Sequence, residues 1–371
     1  MKTGIIGLPQ VGKTSLFKIL THAHLDQHAF HSREPHVGVA KVPDERLDKL
    51  AELVKPRKVT HASIEFVDAA AIPAHQTKPA APSGHEALKE PAYAAALRQV
   101  DALAHVVRAF DDPAIPHIGE INPLRDISNV ELDLMVSDLG QIEKRLEKLE
   151  KELKKVRSPE LEKEHELLLK SKAQLERERP LRELELIPDD QKRLLGFMFL
   201  SQKPVLYVIN VGETADLGSE LERAVEKHNL AEVSSRPHVA VTAVCGKVEA
   251  ELAEMDDAET AEFLASYNLK ESGLVRLVRK TYELMGLISF FTTMGDECRA
   301  WTVPQGTHAI DAAGVIHSDL QKHFVRAEVI RWDALLAAGS EANARAHGTL
   351  RLEGKDYVVK DGDVVHVRHT A

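Results

Sequence analysis

The chain has few of the residues that hold small secreted proteins together. Of its 371 residues only Cys245 and Cys298 are cysteine, and they lie far apart and in no C-x-x-C arrangement. Two such thiols exclude a disulfide framework and a cysteine-rich zinc site, and they are typical of a reducing cytosol. No apolar run approaches the roughly 20 residues that span a bilayer, and residues 1–6 have the pattern of a strand, not of a signal peptide. We therefore expect a soluble cytoplasmic protein without a membrane segment.

Positive charge is also scarce. The formal net charge is -10, and the sequence pI is near 6.0. This balance excludes a protein that coats nucleic acid, because non-specific binding needs a surplus of Lys and Arg. A local basic face is still compatible with it. The length and the 43% hydrophobic content predict two or three globular domains.

Short apolar runs alternate with helical patterns over residues 4–107 and again over residues 205–242. This alternation predicts an α/β fold, a doubly wound and mostly parallel sheet with helices on both faces. Two of the strands run directly into a polar residue, Asp68 and Asn210, and ligands bind at that carboxyl edge of such sheets. The predicted strands are residues 4–6, 64–67, 102–107, 205–209 and 238–242, and a predicted helix over 15–20 follows the first.

A helical segment interrupts this alternation over residues 126–195. Ser158-Pro159 breaks a heptad seam, and a second stretch places Leu161, Leu168 and Leu175 seven residues apart before it ends near Pro180. We predict an antiparallel coiled-coil hairpin, because such helices are stable only when they are paired. It serves either as a rigid solvated spacer or as a partner-binding arm. The first seam consists of Leu132, Met135, Leu139, Ile142, Leu146, Leu149, Leu153 and Val156.

The pattern changes again at about residue 287. Short β-like runs now alternate with turn signals such as Pro304-Gln305-Gly306 and Asp361-Gly362-Asp363. This predicts a small α+β domain over residues 287–371. The expected division is therefore residues 1–125 with 196–286, the inserted hairpin over 126–195, and the terminal domain.

The first predicted strand runs into a phosphate-binding motif. Residues 7–14 match G-x-x-x-x-G-K-[ST] and precede an amphipathic helix. Backbone N–H groups around Gly7 and Gly12 can wrap phosphates, Lys13 can reach the β and γ oxygens, and Thr14 can ligate Mg²⁺. A chance glycine-rich turn is the alternative, but the position between strand and helix favours a nucleoside triphosphate site.

Residues after the second predicted strand depart from the usual GTPase pattern. Asp68 stands where a carboxylate holds magnesium through water. Ala71 replaces a glycine that donates its N–H to the γ-phosphate, so it keeps the N–H and loses the conformational freedom. Ile72 stands where Ras-type enzymes have a glutamine that orients the attacking water, so hydrolysis needs another group.

The base-reading segment also departs from the guanine-specific pattern. Asn210-Val211-Gly212-Glu213 stands in the position of N-K-x-D, with Glu213 one methylene longer than aspartate and Val211 unable to pack like lysine. Contacts with guanine are weaker in consequence, so we expect ATP to bind at least as well as GTP. Cys245 and Gly246 follow the strand over 238–242 and form either a base-side loop or an ordinary strand end.

Two further segments leave alternatives open. Residues 73–92, rich in Ala and Pro, form either a mobile loop near the γ-phosphate or an ordinary surface loop. A group of histidines suggests metal, but its spacing matches no standard zinc pattern and favours solvated side chains. The group is His22, His24, His28, His31 and His36.

The order of these pieces resembles the YchF-type subfamily of the Obg-related P-loop NTPases, in the TRAFAC class. The resemblance covers nearly the whole chain and is most specific at residues 101–108, 299–302, 313–317, 353–357 and 360–364. It implies an NTPase domain, an inserted coiled-coil arm and a C-terminal TGS domain of ubiquitin-like β-grasp fold. It also implies a preference for ATP, slow hydrolysis with Mg²⁺, and association with ribosomal RNA or protein. We expect a monomer.

The same resemblance assigns roles to single residues. Ser32 falls where relatives carry a switch threonine that ligates the metal with Thr14, and Val211 touches the base through its backbone. His117 matches a histidine proposed to assist hydrolysis, unless it is a surface loop residue. Three departures from the family pattern fall near the expected γ-phosphate: Gln10 replaces asparagine, Ser32 replaces threonine and Ala71 replaces glycine. A non-hydrolysing ribosome-binding module and a conventional GTPase are therefore the alternatives. The expected phosphate contacts are Gln10, Val11, Gly12, Lys13, Thr14 and Ser15, and the expected base contacts are Asn210, Val211, Glu213, Cys245 and Gly246.

Overall fold

The computed structural model describes residues 1–21, 35–68, 91–116, 119–156 and 158–370. Internal contacts divide the chain into two compact units, residues 1–39 with 65–284 and residues 40–64 with 285–371. Residues 40–64 therefore group with the C-terminal segment and not with the nucleotide domain to which the sequence pattern had assigned them. Among the described residues, no helix has the length and apolar character needed to cross a membrane.

Twelve strands form two sheets within the described part of the chain. The first sheet has the order β2-β4-β1-β5-β6-β7, and the pairs from β4 to β7 are parallel. The second has the order β11-β10-β12-β8-β9-β3. The strands are β1 Lys2–Ile6, β2 His36–Lys41, β3 Lys58–Thr60, β4 Ser63–Asp68, β5 Ala102–Ala109, β6 Val205–Val211, β7 Val239–Val244, β8 Leu287–Thr292, β9 Glu297–Pro304, β10 Phe324–Arg331, β11 Arg351–Glu353 and β12 Asp363–His369.

Helices follow most of these strands, and a 3₁₀ turn spans Leu181–Glu183. The described α-helices are α1 Lys13–Thr21, α2 Glu45–Val54, α3 Pro91–Arg98, α4 Pro123–Leu153, α5 Pro159–Leu175, α6 Pro188–Leu195, α7 Leu217–Lys227, α8 Ala231–Ser234, α9 Gly246–Leu252, α10 Asp257–Ser266, α11 Gly273–Leu284, α12 Ala309–Ile316, α13 Ser318–Lys322, α14 Trp332–Ala338 and α15 Glu341–Ala346.

The central strands β5 and β6 are almost entirely buried. Strands in a parallel sheet are covered by helices on both faces, which explains why most positions of these two strands are apolar. Ile6, Leu103 and Ile209 belong to one apolar core with side chains from α4, α7 and α9. The predicted mixed α/β fold is confirmed.

Helices α4 and α5 pack against each other. Both begin with Pro in the first turn, and the Asn122 side chain caps α4. Arg145 on α4 makes two bonds of 2.7 and 3.0 Å to Glu164 on α5, which suits an antiparallel pair. Leu132 is 46% exposed because the start of α4 packs on the sheet through other residues, and Val156, 62% exposed, lies beyond the end of α4. The buried seam is therefore shorter than the predicted one.

The second unit forms around the hairpin of β8 and β9, which pair antiparallel. Strand β12 lies beside β8 in parallel and beside β10 in antiparallel orientation. Phe290, Ala312, Val329 and Val365 share its apolar core, so α12 covers this sheet. The terminal segment is thus α+β, as its turn signals predicted.

Candidate functional site

The loop between β1 and α1 adopts a backbone conformation that excludes side chains at two positions. Gly7 has φ 142°, and a Cβ there would lie 2.3 Å from the carbonyl oxygen of Val106. Gly12 has φ 98°, and a Cβ there would lie 2.7 Å from Asn210 Nδ2. Gln10 also has positive φ, at 60°, which is costly for a residue other than glycine or asparagine. The loop therefore brings its amides and the N-terminus of α1 to one place, the geometry of an anion nest.

Lys13 and Thr14 begin α1 beside a buried carboxylate. Lys13 donates from Nζ to the carbonyl oxygen of Leu8 at 2.6 Å, across the loop. Burial lowers the pKa of Lys13 to about 8, against the opposing attraction of Asp68. Thr14 Oγ1 donates to Asp68 Oδ2 at 3.1 Å, and Asp68 is fully buried at the end of β4. A hydroxyl and a carboxylate are therefore held together at the start of the helix.

Asn210, at the end of β6, joins the phosphate loop to the segment that follows β7. Its Nδ2 donates to the carbonyl oxygen of Val11 at 3.0 Å, and its Oδ1 accepts from the Gly246 amide at 2.9 Å. A side-chain amide suits this position because it carries a donor group and an acceptor side by side in one rigid plane. Asn210 therefore fixes the spacing between two walls of the site.

Both carboxylate oxygens of Glu213 are occupied. Oε2 pairs with Lys247 Nζ at 2.5 Å, and Oε1 accepts from the Tyr267 hydroxyl at 2.7 Å. The hydrogen bonds from Lys247 and then from Tyr267 lower the pKa of Glu213. A carboxylate engaged in this way is not free to accept both donors of a guanine edge.

A loop after β5 forms another wall of the site, and the sequence pattern did not predict it. Arg108, 4% exposed, donates from Nε to the carbonyl oxygen of Phe110 at 3.1 Å and from Nη2 to that of Ile115 at 3.0 Å. Its guanidinium also lies 4.4 Å from the centre of the Phe110 ring. The available sequence signal was an arginine directly after the predicted strand over 102–107, inside the family-like stretch over 101–108.

These elements enclose a cavity of about 740 Å³, a size typical of small-molecule sites. Its lining comes from the phosphate loop, the carboxyl ends of β5, β6 and β7, and the start of α9. The residues are Gln10, Gly12, Ser15, Leu16, Val106, Phe110, Asp111, Asp112, Pro113, Ile115, Asn210, Val211, Gly212, Glu213, Val244, Gly246, Lys247 and Ala250.

Comparisons with known proteins agree with this geometry. A family described as 50S ribosome-binding GTPase matches residues 2–170, and the YchF GTPase C-terminal family, described as a protein of unknown function, matches residues 287–370. The ribosome-binding ATPase YchF of Bacillus subtilis (strain 168) is 40% identical over 99% of each chain. The protein of that name from Pasteurella multocida (strain Pm70) is 39% identical over 99% of this chain and 98% of its own. The chain belongs to the YchF family. A solved structure, the Schizosaccharomyces pombe YchF GTPase, matches with a TM-score of 0.85 at 30% identity, over 99% of this chain and 97% of that one.

Within this YchF fold, most of the predicted site residues lie together. Gln10, Gly12 and Ser15 line the cavity from the phosphate loop, while Asn210, Val211, Glu213 and Gly246 line it from the end of β6, the loop that follows it and the start of α9. Val11 is buried in the loop, and Cys245 is buried directly before α9, where burial raises the pKa of its thiol. Ser32, Ala71, Ile72 and His117 lie outside the described residues, as do residues 73–90 and four of the five histidines suggested as metal ligands, so these predictions stay predictions.

Proposed function

We propose that the chain is a ribosome-associated P-loop NTPase that binds and slowly hydrolyses ATP. One observation carries the choice of ATP over GTP: the carboxylate at the base-reading position, Glu213, is already bonded by Lys247 and Tyr267. Adenine needs no paired acceptor at that position, whereas guanine does. The names of the bacterial relatives, which describe ribosome-binding ATPases, support the same assignment.

Magnesium fits the residues at the start of α1. Thr14 and the buried Asp68 supply hard oxygen donors 3.1 Å apart, the ligand type that Mg²⁺ prefers. In our proposal Thr14 binds the ion directly, Asp68 holds it through water, and Ser32 adds a third oxygen. When bound, Mg²⁺ neutralises charge on the triphosphate.

We assign hydrolysis of the triphosphate to two side chains, Lys13 and His117. The Lys13 ammonium, once its bond to Leu8 is exchanged for a phosphate oxygen, neutralises the charge that develops between the β and γ positions. His117 orients the attacking water in place of the absent glutamine. The strained backbone of Gln10, together with the substitution of the usual glycine by Ala71 in the sequence, supports a slow rate.

We assign α4 and α5 to the coiled-coil arm of this family and the second unit to a TGS domain. The strand order β9-β8-β12-β10-β11, with β8 and β12 parallel, supports a β-grasp fold. The chain then consists of an NTPase domain over 1–125 and 196–286, an arm over 126–195 and a TGS domain over 287–371, and residues 40–64 of the first range group with the TGS domain in the second unit. In this proposal the terminal domain contacts ribosomal RNA or protein. The chain acts in the cytoplasm, and it does so as a monomer.

Phosphate release from Mg·ATP tests the enzymatic part. The purified chain should release phosphate faster than a Lys13→Ala variant, and equal rates would reject the ATPase. The second candidate is a non-hydrolysing, nucleotide-bound module, and the altered residues near the γ-phosphate position support it as well. Tight ATP binding without Lys13-dependent release of phosphate would favour this candidate. Competition between ATP and GTP for a labelled nucleotide separates both from a conventional GTPase.

A further inference from the structure

Arg108 lies beside Asn210 at the carboxyl edge of the first sheet. The two residues are partners in the register of the parallel strands β5 and β6, so their side chains leave the same face of the sheet. Asn210 joins the phosphate loop to the start of α9, whereas Arg108 bonds the loop over residues 110–115 that follows its own strand. Two adjacent side chains therefore hold different walls of the nucleotide cavity.

The single guanidinium of Arg108 closes the loop over residues 110–115. Its Nε donates to the carbonyl oxygen of Phe110, the first residue of the loop, at 3.1 Å, and its Nη2 donates to that of Ile115, the last, at 3.0 Å. Within the loop, the Ile115 amide donates to the carbonyl oxygen of Asp112 at 3.0 Å. Phe110 and Ile115 both line the cavity. Loss of the guanidinium would therefore release both ends of this wall.

The charged head of Arg108 bonds this loop and not a carboxylate. Arg108 is 4% exposed, and it forms no ion pair with any residue that the structure describes. Arg182, the other buried arginine of the described chain, pairs with Glu131 at 2.7 Å. Burying a cation is costly unless its donors are bonded. For Arg108 the compensating contacts are the two loop carbonyls and the Phe110 ring, whose centre lies 4.4 Å from the guanidinium carbon.

Phe110 lies next to the segment expected to contact the base. Ala109 and Val211 are partners in the strand register, and a Cβ added to Gly212 would lie 3.7 Å from Phe110 Cβ. The Phe110 side chain is half-buried, so part of its surface is open to the cavity that it lines. The wall held by Arg108 is therefore close to the expected position of the base.

We propose that Arg108 is a positioning residue for the base of the bound nucleotide and that it acts through Phe110. It holds the ring in place in the free protein, so that binding does not have to order the loop. Preorganisation of this kind raises affinity, because the entropy of ordering is not lost on binding. Lysine cannot replace it, since an ammonium lacks the planar fork that bonds two carbonyls and stacks on a ring. The inference rests on the proposed function, because it needs a nucleotide in this cavity.

Calorimetry with Mg²⁺ and a non-hydrolysable ATP analogue tests the inference on the full chain. Arg108→Met should weaken binding about tenfold, and Arg108→Lys should weaken it by a similar factor. Mg·tripolyphosphate has the phosphates without a base, and it should bind the unaltered chain and both variants with dissociation constants within about twofold of each other. An equal loss for both ligands, or an Arg108→Lys variant that keeps the affinity for the ATP analogue, would overturn the proposal, because attraction by charge would then explain the effect. Failure of tripolyphosphate to bind the unaltered chain would overturn the separation of base and phosphate contacts.

A double-mutant cycle tests whether Arg108 acts through Phe110. Phe110→Ala should also weaken binding of the ATP analogue about tenfold, and adding Arg108→Met to it should cause no further loss. Additive losses would overturn the proposal. Arg276→Met is the matched control, because Arg276 also donates to a main-chain carbonyl oxygen in the same unit, that of Ala243 at 3.0 Å. This control should keep the affinity of the unaltered chain.

Urea unfolding shows whether each variant is folded under the conditions of the assay. If Arg108→Met is unfolded, the cycle is measured with Arg108→Lys. An unaltered chain that does not bind the ATP analogue would reject the proposed function together with this inference. An unaltered chain and an Arg108→Met variant that bind the analogue equally well would reject this inference alone.

Discussion

At the scale of single residues, the position of Lys13 gives nucleotide binding a pH dependence. Burial lowers the pKa of Lys13 to about 8, against the attraction of Asp68. The free protein therefore holds a mostly charged Lys13 at pH 7 and a mostly neutral one at pH 9, whereas bound phosphates require the charged form. We predict that Mg·ATP binds about tenfold more weakly at pH 9 than at pH 7.

Calorimetry across this pH range measures the effect, and at about pH 8.5 binding should also take up a proton. A Lys13→Met variant should bind weakly at every pH and show no proton uptake. An affinity of the unaltered chain that stays constant from pH 7 to pH 9 would contradict the assignment of Lys13 as the phosphate-binding cation.

Glu213 gives a second test at this scale, on base selectivity. Replacing both of its partners, by Lys247→Met with Tyr267→Phe, frees the carboxylate that they now occupy. We predict that the preference for GTP over ATP then rises about tenfold, because guanine gains a charged acceptor. Competition of the two nucleotides for a labelled analogue measures the ratio. Lys247→Arg, which keeps the ion pair with Glu213, is the control. If the double variant shows the same GTP-to-ATP preference as this control, the partners of Glu213 do not set the base preference.

At the scale of elements, the sequence predicted the features that depend on residues close together in the chain. The phosphate loop follows from its glycine spacing, and the two helices α4 and α5 follow from the heptad seam and from Pro159, which begins α5. Side-chain pairs between distant segments were not predictable. The bond of Asn210 to Val11 joins residues 199 positions apart, and no local pattern specifies it.

Asp138 on α4 shows how such distant contacts stabilise an element. It is fully buried and accepts from the amides of Leu200 and Ser201, from the Ser201 hydroxyl, and from Arg98 at 3.1 Å. Asp138→Ala leaves these buried donors without an acceptor, so we predict a loss of about 3 to 5 kcal/mol in the free energy of unfolding.

Urea unfolding followed by circular dichroism measures this loss. Glu143 lies on the same helix as Asp138 and is the half-exposed partner of Lys172 on α5. Glu143→Ala should lower the free energy of unfolding by less than about 1 kcal/mol. Similar unfolding midpoints for the two variants would mean that Asp138 does not hold α4 in place.

At the scale of the whole molecule, the sequence predicted a central α/β region and a terminal α+β region, but it did not predict that residues 40–64 group with the terminal one. Strand β3 pairs with β9, so a three-residue strand near the start of the chain completes a sheet formed almost 240 residues later. A strand this short has too few positions to show alternation, and its partner is set by long-range packing.

The net charge of -10 also acts at this scale, because it limits the strength of the ribosome association proposed above. Each phosphate contact made by a cation releases counterions, and proteins with about 6 to 10 such contacts lose about 10³ to 10⁵ in affinity between 50 and 200 mM salt. The chain as a whole has no excess of cations, so we predict about two phosphate contacts and a loss of about tenfold over that range. Co-sedimentation with ribosomes across a potassium chloride series measures the slope. A loss above about a thousandfold would reveal an extended basic surface that the composition argues against, and no pelleting at low salt would reject the ribosome association itself.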